Sequence, residues 1–575
     1  MSEERKKILD MLSEGKITVD EAERLLNAVA DTPRPESDAG GGGGGDNGSG
    51  RASRPGLDLD DLERQIRSRV ADVRRTVKTS MPHLRTVIKD AVPDVERIVE
   101  EATAAIPGLV EEMGRTFKQA FGEVRRQAGE RHSSRAEREF TETAPITPGS
   151  KLSLDNSRGS IVVETTESGE GEERVEARVR VEVRAVDEAA AQSYAEGVRL
   201  EIQTGEDGVR LLPVRPPNEG GSAECLVHVH LKVPAKLDLD LSTAHGDLVV
   251  PDMDGNLLLN SRHGEARIAG ATGNVSIQQQ HGSLQLGRVA KSLALDAHHS
   301  RVRVEEVAEK AQVAGHHGKV SVGRIQGDLV ADLQHAPFDL EEVGGQAVVN
   351  GSHGKLSLGR IGGDLSLNAR HSPVDIEEVD GKAQLANNHG PIKAKRIGGD
   401  LAVQSQHGAV EIGEIGGAAV AKCNHGRLHL GRVAAAVTVD ADRGQVYVGP
   451  SAGPVAVRGN RGEIVIEEPG GEVLAENSRA GIVVRASAPV RDAYTLSNNR
   501  GNIEVTLPED SDVEVQGFVR RGRVDTDLIL SVSANGQGGQ SVEGKLGDGS
   551  AALRVEVSEG NLVLKKTAGT GSGHD

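Results

Sequence analysis

HGKLSLGRIGGDLSLNARHSPVDIEEVDGKAQLANNH, residues 353–389, carries one eighteen-residue pattern twice over. Each copy opens on a histidine, His353 and then His371, and the stretch closes on His389. Three positions after the histidine stands an aliphatic (Leu356, Val374), two later another (Leu358, Ile376), and three later a third (Ile361, Val379). Apolar residues two apart, with polar ones between, describe a strand with one face buried. A second such pair, Leu365-x-Leu367, follows nine residues after Leu356-x-Leu358. Each repeat therefore holds two short strands and two Gly-rich turns.

Outward from this stretch the register continues unbroken. Histidine occupies the same phase at His245, His263, His281, His299, His317, His335, His353, His371, His389, His407 and His425, and arginine takes it over at Arg443, Arg461 and Arg479. A period held this long means one unit stacked on itself. The expected fold is mainly β: a parallel β-solenoid of 18-residue coils, two strands per coil, over residues 241–499. At ~4.8 Å per coil its regular part is roughly 65 Å long. A single coil can bury its aliphatics only against its neighbours, so both ends need caps. Residues 141–240, with the alternating run Val175 to Val183, read as the N-terminal cap, and 186–197 as a short helix within it. Residues 500–566 read as the C-terminal cap and 567–575 as a disordered tail.

Composition agrees with thin aliphatic layers. Of 575 residues 72 are Gly, and aromatics make up 1%, with no Trp. The formal charge of −19 argues against nucleic acid as a partner. Two cysteines, Cys225 and Cys423, imply no disulfide framework. No signal peptide or span of ~20 apolar residues is visible, so the expected location is cytoplasmic, or peripheral at the inner membrane.

The first 140 residues read differently. Ile8, Leu9, Met11 and Leu12 make one helical stripe, ended by Gly15; Thr18 then caps a second helix, with Glu21 reaching back and Ala22, Leu25, Leu26 and Val29 as its stripe. Residues 31–56, with Gly40 to Gly45 in a row, read as a flexible linker. Residues 57–140 read as an amphipathic helical segment, interrupted by Pro82, Pro93 and Pro107. Its basic block from Arg64 to Lys89 suits an anionic membrane surface; pairing with its own acidic block, Asp90 to Glu112, explains the pattern equally simply.

Two columns stand out as candidate sites. Arg288, Glu306, Arg324, Glu342, Arg360, Glu378, Arg396, Glu414 and Arg432 alternate in sign at one coil position, which reads as a structural charge ladder and makes the true repeat thirty-six residues. The histidines His281, His299, His317, His335, His353, His371, His389, His407 and His425 invite a metal or pH reading, since imidazoles ~5 Å apart would repel when protonated. A bland role competes. Each precedes Gly or a small residue, and Asn260, Asn350, Asn388, Asn424, Asn460 and Asn477 lie just upstream, so left-handed turn geometry and hydrogen-bonded ladders account for them. The arginine substitutions also weigh against a metal. A calcium roll needs G-G-x-G-x-D, which the turn Gly362-Gly363-Asp364-Leu365 lacks. No nucleophile motif, isolated carboxylate constellation or phosphate loop is visible, so neither an enzyme nor a cofactor is expected.

KILDMLSEGKITVDEAERLL, residues 7–26, resembles the SHOCT-like domain found at the front of some bacterial envelope-stress proteins; a helical hairpin used for self-association would show the same stripes. LDLDLSTAHGDLVVPDMDGNLLLNSRHGEARIAG and the units after it resemble the adhesin-like β-strand-repeat family of bacteria, with His-Gly where that family has Asn-Gly. The two resemblances together imply a non-enzymatic protein that works by binding protein partners or copies of itself; the helical segment 57–140 is a departure from both, and its basic block adds the expectation of a peripheral membrane contact. The competing expectations are a scaffold that polymerises end to end, as in the bactofilin class, and a pH- or metal-responsive histidine ladder.

Overall fold

The structure, a computed structural model, describes residues 134–567 except 167–173, 206–207, 219–222 and 536–537. The expected hairpin at 1–30, the linker at 31–56, the segment at 57–133 and the tail from 568 lie outside the described residues.

Parallel pairing at a spacing of one coil builds the molecule. Strand Leu356–Ile361 lies between Phe338–Val343 and Val374–Val379, with Leu356 facing Phe338 on one side and Val374 on the other. Strand Leu365–Arg370 lies likewise between Ala347–Ser352 and Ala383–His389. Such coils contribute one strand to each of two parallel sheets, while Leu257–Ala271, Val275–Val289, Leu293–Val307 and Ala419–Val433 each run round the corner as one strand through both. Leu356, Leu358, Ile361, Leu365 and Leu367 are buried, while Ser357, Arg360, Ser366 and Asn368 are not. The alternation therefore points every second side chain into a shared aliphatic interior, as a period of two requires. Phe338 is the largest fully buried side chain in a core made mostly of Val, Ile, Leu and Ala.

The turns stack as closely as the strands. Gly345 N–H donates to Gly327 O at 3.0 Å, and Gly363 N–H to Gly345 O at 2.9 Å. A Cβ on Gly363 would stand 2.7 Å from Gly345 O, so only glycine lets these backbones approach.

Both ends depart from the coil order. At the N-terminal end, Lys151–Asn156 is inserted between Asp238–His245 and Gly208–Val214, parallel to both. Ile161–Thr166 likewise lies between Leu248–Met253 and Ala223–Pro234. Two antiparallel strands then close that edge: Arg174–Ala185 on Ala223–Pro234, and Ser134–Pro145 on Arg174–Ala185. The helix Glu188–Gly197 is capped by the Asp187 carboxylate, which accepts from Ala190 N–H at 2.7 Å, and it buries Ala191 and Ala195. At the other end the coil of Ala551–Glu559 and Leu562–Lys566 is inserted between Tyr494–Leu507 and Val513–Thr526. Antiparallel Gly539–Leu546 and then Ser531–Asn535 complete it.

Three expected boundaries shift. Residues 134–140, assigned above to the helical segment 57–140, are the start of strand Ser134–Pro145. Arg135, Glu137 and Glu139 alternate there with Ala136, Arg138 and Phe140, a period of two that the longer helical pattern upstream obscures. The eighteen-residue spacing also breaks inside 241–499: Val473 faces Tyr494, with the additional residues in the loop after Arg485. Thr567, placed in the tail, is held by its N–H to Leu507 O and its hydroxyl to Ala486 O, both at 3.0 Å.

Candidate functional site

Eleven imidazoles form one continuous stack along a corner of the solenoid. From His245 to His425 each ring lies on the next, with centroids 4.5–5.0 Å apart and planes within 5–21° of parallel. The parallel ladder dictates that spacing, because equivalent residues of neighbouring coils sit one strand separation apart. The stack ends where Arg443 Nη1 donates to His425 Nε2 at 3.2 Å.

Two kinds of backbone corner carry the column. His281, His299, His317, His335, His353 and His371 have φ of 50–56°, the left-handed region that His tolerates better than most side chains. His245, His263, His389 and His425 do not. There the following glycine takes positive φ instead: Gly246, Gly264, Gly390 and Gly426, at 127–149°. The left-handed geometry expected throughout thus holds for the middle coils, the glycine supplies it at these four corners, and at His407 neither His407 nor Gly408 takes it.

The residue two before the histidine points inward, and at several corners it is polar. Asn387 donates from Nδ2 to Ser372 O at 2.8 Å and to Gly390 O at 3.2 Å. Asn477 does the same for Gly462 O at 2.7 Å, and Asn156 for Val227 O at 2.6 Å. These buried amides satisfy carbonyls that the corner leaves without ladder partners. Of the asparagines singled out in the sequence only Asn477 has this role. Asn260, Asn350, Asn388, Asn424 and Asn460 lie at the surface or half-buried, because each stands an odd number of residues from the inward position.

The charge column is in continuous register, but its bonds are pairwise. Arg288 Nε meets Glu306 Oε2 at 3.0 Å, Arg324 Nε meets Glu342 Oε2 at 2.9 Å, and Arg396 pairs with Glu378. Arg360 reaches past Glu378 to Asp380 Oδ2 at 2.9 Å. Glu414 faces Arg432 in the ladder. Gln326, donating at 3.0 Å, and then the flanking arginines hold the Glu306 carboxyl below its ordinary range.

The outward faces of the two sheets differ in chemistry. The first carries this column and further pairs such as Lys319–Asp339 at 2.6 Å and Lys355–Asp375 at 2.8 Å. On the second, one column runs in register from Leu258 through Ser276, Ala294, Gln312, Val330, Val348, Ser366, Gln384, Ala402, Val420, Thr438 and Ala456 to Leu474 without a single charge. Leu258, Val330, Val348, Val420 and Leu474 are 37–47% exposed, which makes them large aliphatics left facing outward. Sequence reading missed this column because its members share no residue type, only the lack of charge.

The chemistry available is limited. Burial pushes the Cys423 thiol up to about 11, and burial also raises Cys225 against the lowering effect of Arg215, so neither is an activated nucleophile. A metal bound to imidazole lies in the ring plane, and rings stacked nearly parallel with centroids 4.5–5.0 Å apart do not aim their lone pairs at one point. Turning one ring of the column toward an ion abandons its stacking on both sides. Among the described residues, Asp296, His298 and His316 are the one group of three metal-type side chains that converge. They went unnoticed in the sequence, although the doubled His298-His299 and His316-His317 were visible there.

The fold and its columns define a parallel β-solenoid repeat protein with an N-terminal appendage. Residues 3–34 match the SHOCT-like domain. No curated protein matches the chain. Among solved structures, a candidate cell adhesion protein from Clostridium sporogenes aligns with 75% of this chain and 100% of its own, at 9% identity and a TM-score of 0.12. A candidate adhesin from Bacteroides fragilis covers 48% of this chain and 96% of its own at 12% identity, TM-score 0.14. One from Parabacteroides merdae covers 57% and 96% at 12%, TM-score 0.12. At such scores these likenesses carry no argument about the present chain. Among the described residues no helix is long and apolar enough to cross a membrane.

Proposed function

We propose that this chain is a non-enzymatic binding protein of the adhesin-like or envelope-stress type, in which the solenoid offers a rigid face to a protein partner and the SHOCT-like hairpin recruits a second. One observation carries the reading: the uncharged column from Leu258 to Leu474, beside a first sheet on which many of the charges pair with one another. Charges already paired have less to offer a partner, whereas outward aliphatics on a rigid ladder bury area at small cost in entropy. Contact of 57–140 with a membrane belongs to the same proposal.

End-to-end assembly into a bactofilin-like scaffold has less support. Antiparallel strands cover the N-terminal end and one of the two sheet edges at the C-terminal end, and Ser134–Pro145 at an N-terminal edge carries Arg135, Glu137, Arg138, Glu139 and Glu142, charges of the kind that keep sheet edges from pairing.

The test compares the full chain with a Val330→Arg/Val348→Arg variant as bait in bacterial extract, after circular dichroism has shown both to be folded. Proteins held by the first and released by the second support the proposal. Identical sets from both baits overturn it.

A further inference from the structure

We propose that Asp296, His298 and His316 form a binding site for one divalent transition-metal ion of the Zn²⁺ type, separate from the eleven-ring column. Asp296 and His298 stand two apart on strand Leu293–Val307 and so share its outward side, while His316 lies beside His298 in the next coil. Asp296 Oδ1 is 3.1 Å from His298 Nε2, and the His298 and His316 rings are stacked with centroids 4.5 Å apart. One ligand atom from each of the three falls within 4.8 Å of the other two.

Two observations separate this cluster from an ordinary surface ion pair. Asp296 Oδ1 is shielded from solvent although 46% of the side chain is exposed, and its 3.1 Å approach to His298 Nε2 lacks hydrogen-bond geometry. A shielded carboxylate oxygen with no well-directed donor favours a cation beside it. The cluster also breaks the repeat. In the column that holds His298 and His316 the neighbours on either side are Gln280 and Gln334, and in that of Asp296 the next coil has Ala314, whose methyl leaves room beside the carboxylate.

Binding one ion requires the two rings to turn out of their parallel stack. That motion is open here because glutamines, not further imidazoles, flank the pair. Two imidazoles and one carboxylate leave the fourth tetrahedral position to water, a donor set that suits Zn²⁺ and its borderline relatives rather than Ca²⁺ or Mg²⁺.

Calorimetric titration of the full-length chain with Zn²⁺ tests this, with the visible band of bound Co²⁺ reporting geometry. The expected result is one equivalent bound with a tetrahedral Co²⁺ spectrum. Affinity should fall at least tenfold in Asp296→Asn, His298→Gln and His316→Gln and be retained in His353→Gln. Glutamine already occupies this column in adjacent coils, so these histidine variants keep the fold. Absence of binding, unchanged affinity in the three site variants, or loss in His353→Gln would each overturn the proposal.

Discussion

Arg443 Nη1 donates to His425 Nε2 at 3.2 Å, at the point where the imidazole column ends and arginine takes its phase. A guanidinium has only donors, so Nε2 of His425 is the acceptor in this bond. The last imidazole of the column is thus placed against a permanent cation.

The pH dependence of stability follows from His389. Burial first, and then the neighbouring rings His371 and His407, lower its pKa from the ordinary 6.5. The unfolded chain takes up a proton at this position where the folded ring resists it, so the unfolded state binds more protons as pH falls below about 6.5. Stability is expected to decline from there and to level off below the depressed folded value. The carboxyls of Asp400, held down by Ala418 N–H and Lys382, and of Asp512, held down by Ser550, are likewise shifted down, below 3.8. Their contributions are lost only at more acid pH. Urea midpoints between about pH 8 and about pH 5 measure the effect. His389→Gln should flatten the slope, and a wild-type midpoint constant over that range would contradict it.

Asn387→Ala leaves Ser372 O and Gly390 O without their amide donor inside the corner. Loss of a buried partner costs about 1–3 kcal/mol. Equilibrium denaturation of the variant should show that loss, while Asn388→Ala, at the half-buried neighbour, should stay near the wild type.

Gly264→Ala is expected to be more damaging. Its φ is +149°, and a Cβ there would stand 2.3 Å from Gly246 O, a backbone atom fixed by its own coil. Conformational strain alone costs of order 1–3 kcal/mol, and the clash adds to it. A thermal midpoint within error of the wild type would refute the close approach.

Charge reversal at Arg324 puts three carboxylates in line, Glu306, the new one and Glu342. All are at the surface, so the expected loss is small and should vanish at high salt. Glu342→Arg in the same chain should recover part of the loss through the re-formed 324–342 pair, though it also sets an arginine beside Arg360, whereas additive losses in the double variant would mean that the column is not coupled.

Much of this protein was legible in its sequence because parallel, in-register stacking turns distance along the chain into distance along the solenoid. A histidine every eighteen residues can only become a column, so the coil, the inward aliphatics and the stacked rings of His353 and His371 follow from spacing alone. The corners were half legible. His281 and His389 share a phase, but His281 takes the left-handed conformation itself, whereas at His389 the following Gly390 takes it.

What spacing could not carry, the tertiary structure decided. Lys151–Asn156 lies between Gly208–Val214 and Asp238–His245 because buried aliphatics and open ladder edges select partners across loops of any length, and no period records that choice. Arg360 finds Asp380 rather than Glu378 because long side chains at the surface settle by reach, not by register. Asp296, His298 and His316 converge for the same reason in reverse: they are departures from the repeat, and only the ladder that brings neighbouring coils within ~5 Å makes three such exceptions neighbours.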